Sequence, residues 1–176
     1  MIEIRINGRG GQGAVTTSEI LAIAAFKDGR YSQAFPHFGV ERRGAPAMAF
    51  CRIDDKEIKL RTHVYMPDYI IILDPSLLNL PDTLNGLKNS GIIILNSKEK
   101  YTELEKKYKI IYVDATQIAL DIIGKPIVNT AVLGALSKKT SLVSLNALKD
   151  AIKEKFSGEL ADKNIEVLQK VYDSTN

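Results

Sequence analysis

Ile2-Glu3-Ile4-Arg5-Ile6-Asn7-Gly8-Arg9-Gly10-Gly11-Gln12-Gly13 is the stretch on which the fold of this chain turns. Apolar and polar residues alternate over 2–6, which predicts a strand. Four glycines then carry the chain into a helix expected over about 14–27, with Val15, Ile20, Leu21, Ala24 and Ala25 on its apolar stripe. A strand emptying through glycines into a helix aims several backbone amides at one spot. Such a loop attracts anions, or lets the backbone of a partner approach closely. Asp28-Gly29 ends the helix, glycine tolerating the left-handed cap. A second strand is expected over 31–35, which completes the pattern of a right-handed βαβ unit.

Downstream, 36–46 reads as an irregular loop built around Glu41-Arg42-Arg43-Gly44 and two prolines. A strand is expected over 47–53. Asp54-Asp55-Lys56 should turn it and 57–60 should return as an antiparallel hairpin. The runs 69–73, 92–95 and 110–113 are continuously apolar, as strands buried on both faces are. Asp74 should cap a helix with Pro75 at its first position. Asp114-Ala115-Thr116-Gln117 resembles a capping box. Asn129-Thr130 should start a helix reaching about 137. Two amphipathic helices follow, one through Leu145, Leu148 and Ile152, the other through Ile165, Leu168, Val171 and Tyr172, joined around Ser157-Gly158. The expected fold is α/β and three-layered: a mostly parallel central sheet with helices on both faces, a β-hairpin insertion and C-terminal helices, in a single domain over 1–176.

Composition narrows the function classes. With 45% hydrophobic and 26% charged residues the chain is not of the disordered class. A net charge of +3 is too small to imply nucleic acid. No apolar run approaches the ~20 residues of a membrane span, and no charged-then-apolar leader precedes the first strand, so a soluble cytoplasmic protein is expected. Cys51 is the single cysteine, which can form no internal disulfide and hold no iron–sulfur cluster. His37 and His63 are the only histidines, too few for an expected structural zinc site. All seven arginines (Arg5, Arg9, Arg30, Arg42, Arg43, Arg52, Arg61) precede residue 62, and the rest of the chain uses lysine alone. Arginine suits forked pairing with carboxylates and phosphates, so this first third is expected to face partners or ligands.

Gly8, Gly10 and Gly13 fit the dinucleotide template G-x-G-x-x-G. Its usual second half, a carboxylate ending the second strand, is missing: that strand ends Gln33-Ala34-Phe35-Pro36. The loop Gly8, Arg9, Gly10, Gly11, Gln12, Gly13 is therefore read as an anion or partner loop, with a stand-alone NAD(P)- or phosphate-binding Rossmann-like domain as the alternative. Glu41, Arg42, Arg43 and Gly44 read as an interface or anion-binding segment. His37 lacks a Ser, Cys or carboxylate partner at a telling spacing for catalysis. His63 reads as a surface or hairpin-end residue and Cys51 as a small core side chain. Asp74, Asn96 and Asp114 end apolar strands, where capping explains them. No catalytic residue and no metal ligand is expected.

The glycine loop together with Phe38-Gly39-Val40-Glu41-Arg42-Arg43-Gly44-Ala45-Pro46 resembles the gamma subunits of the 2-oxoacid:ferredoxin oxidoreductase family. The resemblance continues through Pro67-Asp68-Tyr69, Leu73-Asp74-Pro75-Ser76-Leu77, Gly91 to Asn96, and Asn129-Thr130-Ala131-Val132-Leu133-Gly134-Ala135, nearly the whole chain. Relatives acting on 2-oxoglutarate or aryl pyruvates tend to carry a Gly-Pro-Glu-Ala-Arg-Gly-like run after the second strand. The run Phe35 to Gly44 instead looks like the pyruvate type, with a related 2-oxoacid as the alternative substrate. The resemblance implies a subunit of a complex that converts pyruvate, coenzyme A and oxidised ferredoxin to acetyl-CoA, CO2 and reduced ferredoxin, reversibly. It implies alpha, beta and delta-type partner subunits carrying thiamine diphosphate, Mg and the iron–sulfur clusters, and an isolated chain that is inactive and binds no cofactor alone. Arg9, Arg42 and Arg43 would meet partner carboxylates or coenzyme A phosphates.

Overall fold

β1 (Ile2–Arg9) lies inside the sheet, and its alternation explains how: Ile4 and Ile6 are fully buried on one face, while Glu3, Arg5 and Asn7 occupy the other. The computed structural model describes residues 1–37 and 43–175. After β1 come α1 (Ala14–Lys27), β2 (Tyr31–Pro36), β3 (Pro46–Asp54), β4 (Tyr69–Ile72), a 3-10 turn (Pro75–Asn79), β5 (Ile92–Asn96) and α2 (Thr102–Glu105). β6 (Lys109–Val113), α3 (Ala115–Ile123), α4 (Ala131–Thr140), α5 (Leu145–Lys155) and α6 (Gly158–Ser174) complete the chain. The six strands form one sheet in the order β2-β3-β1-β4-β5-β6. β1, β4, β5 and β6 are parallel, and β3 runs antiparallel to both β1 and β2.

The hairpin expected of 47–53 and 57–60 does not form. Residues 57–60 are in neither helix nor strand, and β3 instead pairs with β2 on one side and β1 on the other. β3 is nearly buried from Ala49 to Ile53, and a central strand finds two partners where a hairpin offers one. The βαβ unit is altered accordingly: β1 and β2 run the same way but β3 lies between them.

The two sheet faces are covered unequally. One carries the large core, where α1, α3, α4, α5 and α6 pack over Ile4, Ile6, Ala49, Cys51, Ile71, Ile94 and Ile111. The other, over β4, β5 and β6, is a smaller cluster of Ile70, Ile72, Ile93 and Leu95, closed by Leu77 of the 3-10 turn and by Leu84, Leu87, Tyr101 and Tyr108. The helix boundaries follow local chemistry. α1 spans the expected residues. Asp74 accepts from the Ser76 amide, and Asp114 from the Gln117 amide, as capping carboxylates do. The capping box at Asp114 is half made, because the Gln117 side chain donates to Asp121 instead. Thr130 begins α4 without a side-chain cap, its hydroxyl donating to Asn164 of α6.

α4 and α6 approach closely at Gly134, where a Cβ would sit 2.5 Å from the Leu168 carbonyl oxygen. Backbone cannot give way there as a flexible side chain would. Gly134→Ala should cost about 1–3 kcal/mol by forcing the two helices apart, read as a lower urea midpoint with unchanged slope.

Candidate functional site

The glycine loop, the 3-10 turn and the residues before β3 meet where β1, β4 and β5 end, the side of an open α/β sheet that usually takes ligands. The sheet changes direction here: from β1 the chain goes outward to β2, and β4 returns on β1's other flank. Asp74 organises the junction. Its carboxylate accepts from Arg9 Nε at 3.2 Å, from Gln12 Nε2 at 3.1 Å and from the Ser76 amide at 3.0 Å. Gln12 closes the loop on itself through Oε1, which accepts from the Arg9 amide at 2.7 Å. Arg9 also donates to Ser76 Oγ at 2.6 Å and to the Gly44 carbonyl at 3.0 Å. Gly10 donates to Ala45 O at 2.8 Å and accepts from the Gly44 amide at 3.1 Å. Burial alone would push the Asp74 carboxyl up, but hydrogen bonds from Ser76 and Gln12 and the nearby Arg9 cation outweigh it and hold it below its ordinary value.

Gly13 fixes how the loop enters α1. Its φ is +83°, and a Cβ would stand 2.8 Å from Asn129 Nδ2. α1 has no side-chain cap and no acid in its first turn, so its positive end stays open. That end faces a cavity of about 890 Å³ lined by Gly10, Gly11, Gly13, Arg43, Met48 and Leu77, among others. Asn7 also lines it. Asn7 is 4% exposed, and its Nδ2 has no hydrogen-bond partner among the described residues. Beside it on the same strand face, Arg5 is buried and donates to the carbonyls of Thr83 and Asn85. Burial lowers the Arg5 pKa, with Asp82 partly offsetting this.

Against this geometry the family model described as pyruvate ferredoxin/flavodoxin oxidoreductase matches residues 3–174. The chain belongs to that family, in its gamma-subunit form. It is 57% identical to the pyruvate/ketoisovalerate oxidoreductases common subunit gamma of Thermococcus kodakarensis, over 99% of this chain and 97% of that one. It is 54% identical to pyruvate synthase subunit PorC of Methanothermobacter marburgensis, over 98% of this chain and 97% of that one. The crystal structure of pyruvate oxidoreductase subunit PORC from Thermotoga maritima matches with a TM-score of 0.86 at 39% identity, covering 99% of this chain and 97% of that one. These relatives are named as subunits, and this chain is likewise one subunit of a multi-subunit oxidoreductase.

The expected residues are thus partly assembled and partly spent. Gly8 and Arg9 extend β1 and pair with β3, and only Gly10, Gly11, Gln12 and Gly13 form the loop that enters α1. Arg43 and Gly44 stand beside it, while Glu41 and Arg42 lie outside the described residues. Arg9 is engaged within the chain, so it is a strut of the site rather than a spare cation. Nor do Arg5 and Arg52 face outward: they are 6% and 1% exposed. Arg52 pairs with Glu3 at 2.9 Å, donates to the Thr62 carbonyl at 2.7 Å and lies over the Phe35 ring. Asn96 joins the end of β4 to α3, donating to Leu73 O and Thr116 Oγ1. Cys51 is buried, which raises its pKa and keeps the thiol protonated. His37 and His63, far apart in sequence, have ring centroids 4.7 Å apart beside Phe50, a pairing no local motif announces. Among the described residues, no three His, Cys, Asp or Glu side chains are placed to hold a metal, and no helix is long and apolar enough to cross a membrane.

Proposed function

We propose that this chain serves as the gamma subunit of a pyruvate:ferredoxin oxidoreductase, and that the cavity beside its glycine loop receives part of coenzyme A. In that enzyme pyruvate, coenzyme A and oxidised ferredoxin give acetyl-CoA, CO2 and reduced ferredoxin, and the reaction runs in reverse. Thiamine diphosphate, Mg and the iron–sulfur clusters belong to alpha, beta and delta-type partners in this reading. The family's chemistry asks for several thiolates per cluster, and this chain has one cysteine, which is buried. The complex works in the cytoplasm. The name of the Methanothermobacter marburgensis relative supports pyruvate, while that of the Thermococcus kodakarensis relative covers ketoisovalerate as well, a related 2-oxoacid.

One observation carries the cavity assignment: the buried, unpartnered amide of Asn7. A buried donor left unmade costs about 1–3 kcal/mol, a cost that an acceptor on a bound ligand removes. The uncapped start of α1 and Arg43 supply positive charge suited to phosphate in a cavity that Asp82 also lines. In the reconstituted holoenzyme, Asn7→Leu should raise the apparent KM for coenzyme A about tenfold while leaving the thermal midpoint unchanged or higher. Arg43→Glu should raise the same KM. Loss of assembly with an unchanged KM in both variants overturns the coenzyme A role and leaves these residues to the subunit interface.

A further inference from the structure

β6 is an edge strand, with one side left without a strand partner among the described residues. Val113 accepts from the Ser97 amide, so the main-chain groups of Lys109, Ile111 and Val113 point toward β5. Pairing alternates along a strand. The N–H and C=O groups of Ile110 and Tyr112 therefore point to the open edge of the sheet. A groove of about 820 Å³ follows this edge, lined by all of β6 with Asp114, Ile118 and Lys139 and by Ser174 and Thr175 at the end of α6. Natural edges are usually blunted by charge, proline or a bulge. Here Lys-Ile-Ile-Tyr-Val carries one charge, at its first position, and no proline.

From this edge we infer that two copies of the chain associate through antiparallel β6–β6 pairing about a two-fold axis at Ile111, joining their sheets into one of twelve strands. The register follows from the sequence. With Ile111 opposite its own copy, Ile110 faces Tyr112, and these are the residues whose main-chain groups are free. Each such pair exchanges two hydrogen bonds, and the axis doubles them. Side chains match on both faces. Ile110 and Tyr112 extend the smaller apolar cluster, and an aromatic beside a β-branched residue is a favourable cross-strand pair. Lys109 falls opposite Val113, one residue from the copy's Asp114, so opposite charges meet at both ends. A parallel pairing would bring like ends together instead. The inference stands independently of what the cavity beside the glycine loop binds.

Light scattering of the full-length chain should show a monomer–dimer equilibrium between about 1 and about 200 µM, since dimers grow with concentration. Ile110→Pro removes an edge-facing donor while sparing the bonds to β5, as proline at a strand edge does. Lys109→Glu sets like charges against each other without touching the core. Each should weaken the dimer at least tenfold, by about 1.4 kcal/mol, with an unchanged far-UV spectrum. Ile111→Cys should form an intermolecular disulfide under mild oxidation, because directly opposed residues of a non-hydrogen-bonded pair lie about 4.5 Å apart between Cα atoms; Cys51 is buried and does not compete. A chain that stays monomeric throughout this range overturns the inference. So does a dimer that neither substitution weakens.

Discussion

Arg52→Met should lower the unfolding free energy by about 3–5 kcal/mol, the cost typical of removing one member of a buried ion pair. The guanidinium is 1% exposed and serves three segments at once. It pairs with Glu3 on β1 and donates to Gln33 of β2 and to the carbonyls of Thr62 and His63. Methionine fills the volume but leaves Glu3 without its cation and two loop carbonyls without a donor. The double variant Glu3→Gln with Arg52→Met should recover part of the loss, because no uncompensated charge remains. Urea denaturation of the four proteins measures the coupling directly. Early proteolysis within 57–66 of the single variant would locate the damage in the segment that Arg52 holds down. A loss below about 1 kcal/mol would mean that the pair behaves as an exposed one.

That arginine also marks where sequence reading stops. The strand, glycine loop and helix at the start of the chain were legible because strand alternation, glycine clustering and a helical stripe are local signals. So were β4, β5 and β6 as continuous apolar runs, although β6, at the sheet edge, leaves Lys109 exposed and Ile110 and Tyr112 partly buried. β3 carries its own local signal, but its partners do not follow from it. Glu57–Leu60 has enough apolar character to look like a return strand, and only β1 and β2 competing for both edges of β3 excludes it. The polar face of β1 misleads in the same way. Glu3, Arg5 and Asn7 alternate with isoleucine as a solvent-facing row would. Arg5 is buried against the carbonyls of Thr83 and Asn85, and Glu3 is half-buried against Arg52, partners that lie tens of residues away.

The site divides along the same line. The loop residues were visible as a cluster of glycines. The cavity's polar floor at Asn7 was not, since an asparagine after a strand ordinarily reads as a turn residue. The arginine-rich first third was expected to point outward; instead Arg5 and Arg52 point inward and Arg9 is tied to Asp74. What stays outward-facing at this corner is mostly backbone, the amides at the start of α1, with Arg43 beside them. A site made of amides needs its loop held in one shape, since each residue left free to move costs ordering entropy when a ligand binds.

Asp74 is what holds that shape, and its removal should have a large effect on coenzyme A binding. Asp74→Ala leaves Arg9, Gln12 and Ser76 without their common acceptor. Hydrogen bonds to charged groups are worth about 1.5–3 kcal/mol, while the half-exposed Arg9 pair adds little beyond them. The fold should survive a loss of about 2–3 kcal/mol. Hydrogen exchange should then quicken at Gly10, Gln12 and Ser76 and stay unchanged in β4 and β5. In the holoenzyme the apparent KM for coenzyme A should rise more than tenfold, the loop having to be ordered at each binding event. The pH dependence follows from the depressed carboxyl. Its stabilisation is fully present above the unfolded value of about 3.9 and is lost only as the pH falls through the lower folded value. Loop exchange at Gly10 and Gln12 should therefore be governed by a constant opening equilibrium from pH 7 to pH 5. The equilibrium should loosen only below about pH 4, and Asp74→Ala should remove that acid limb. Equal protection of Gly10 and Gln12 in wild type and Asp74→Ala would show that the glycines hold their own shape without the carboxylate.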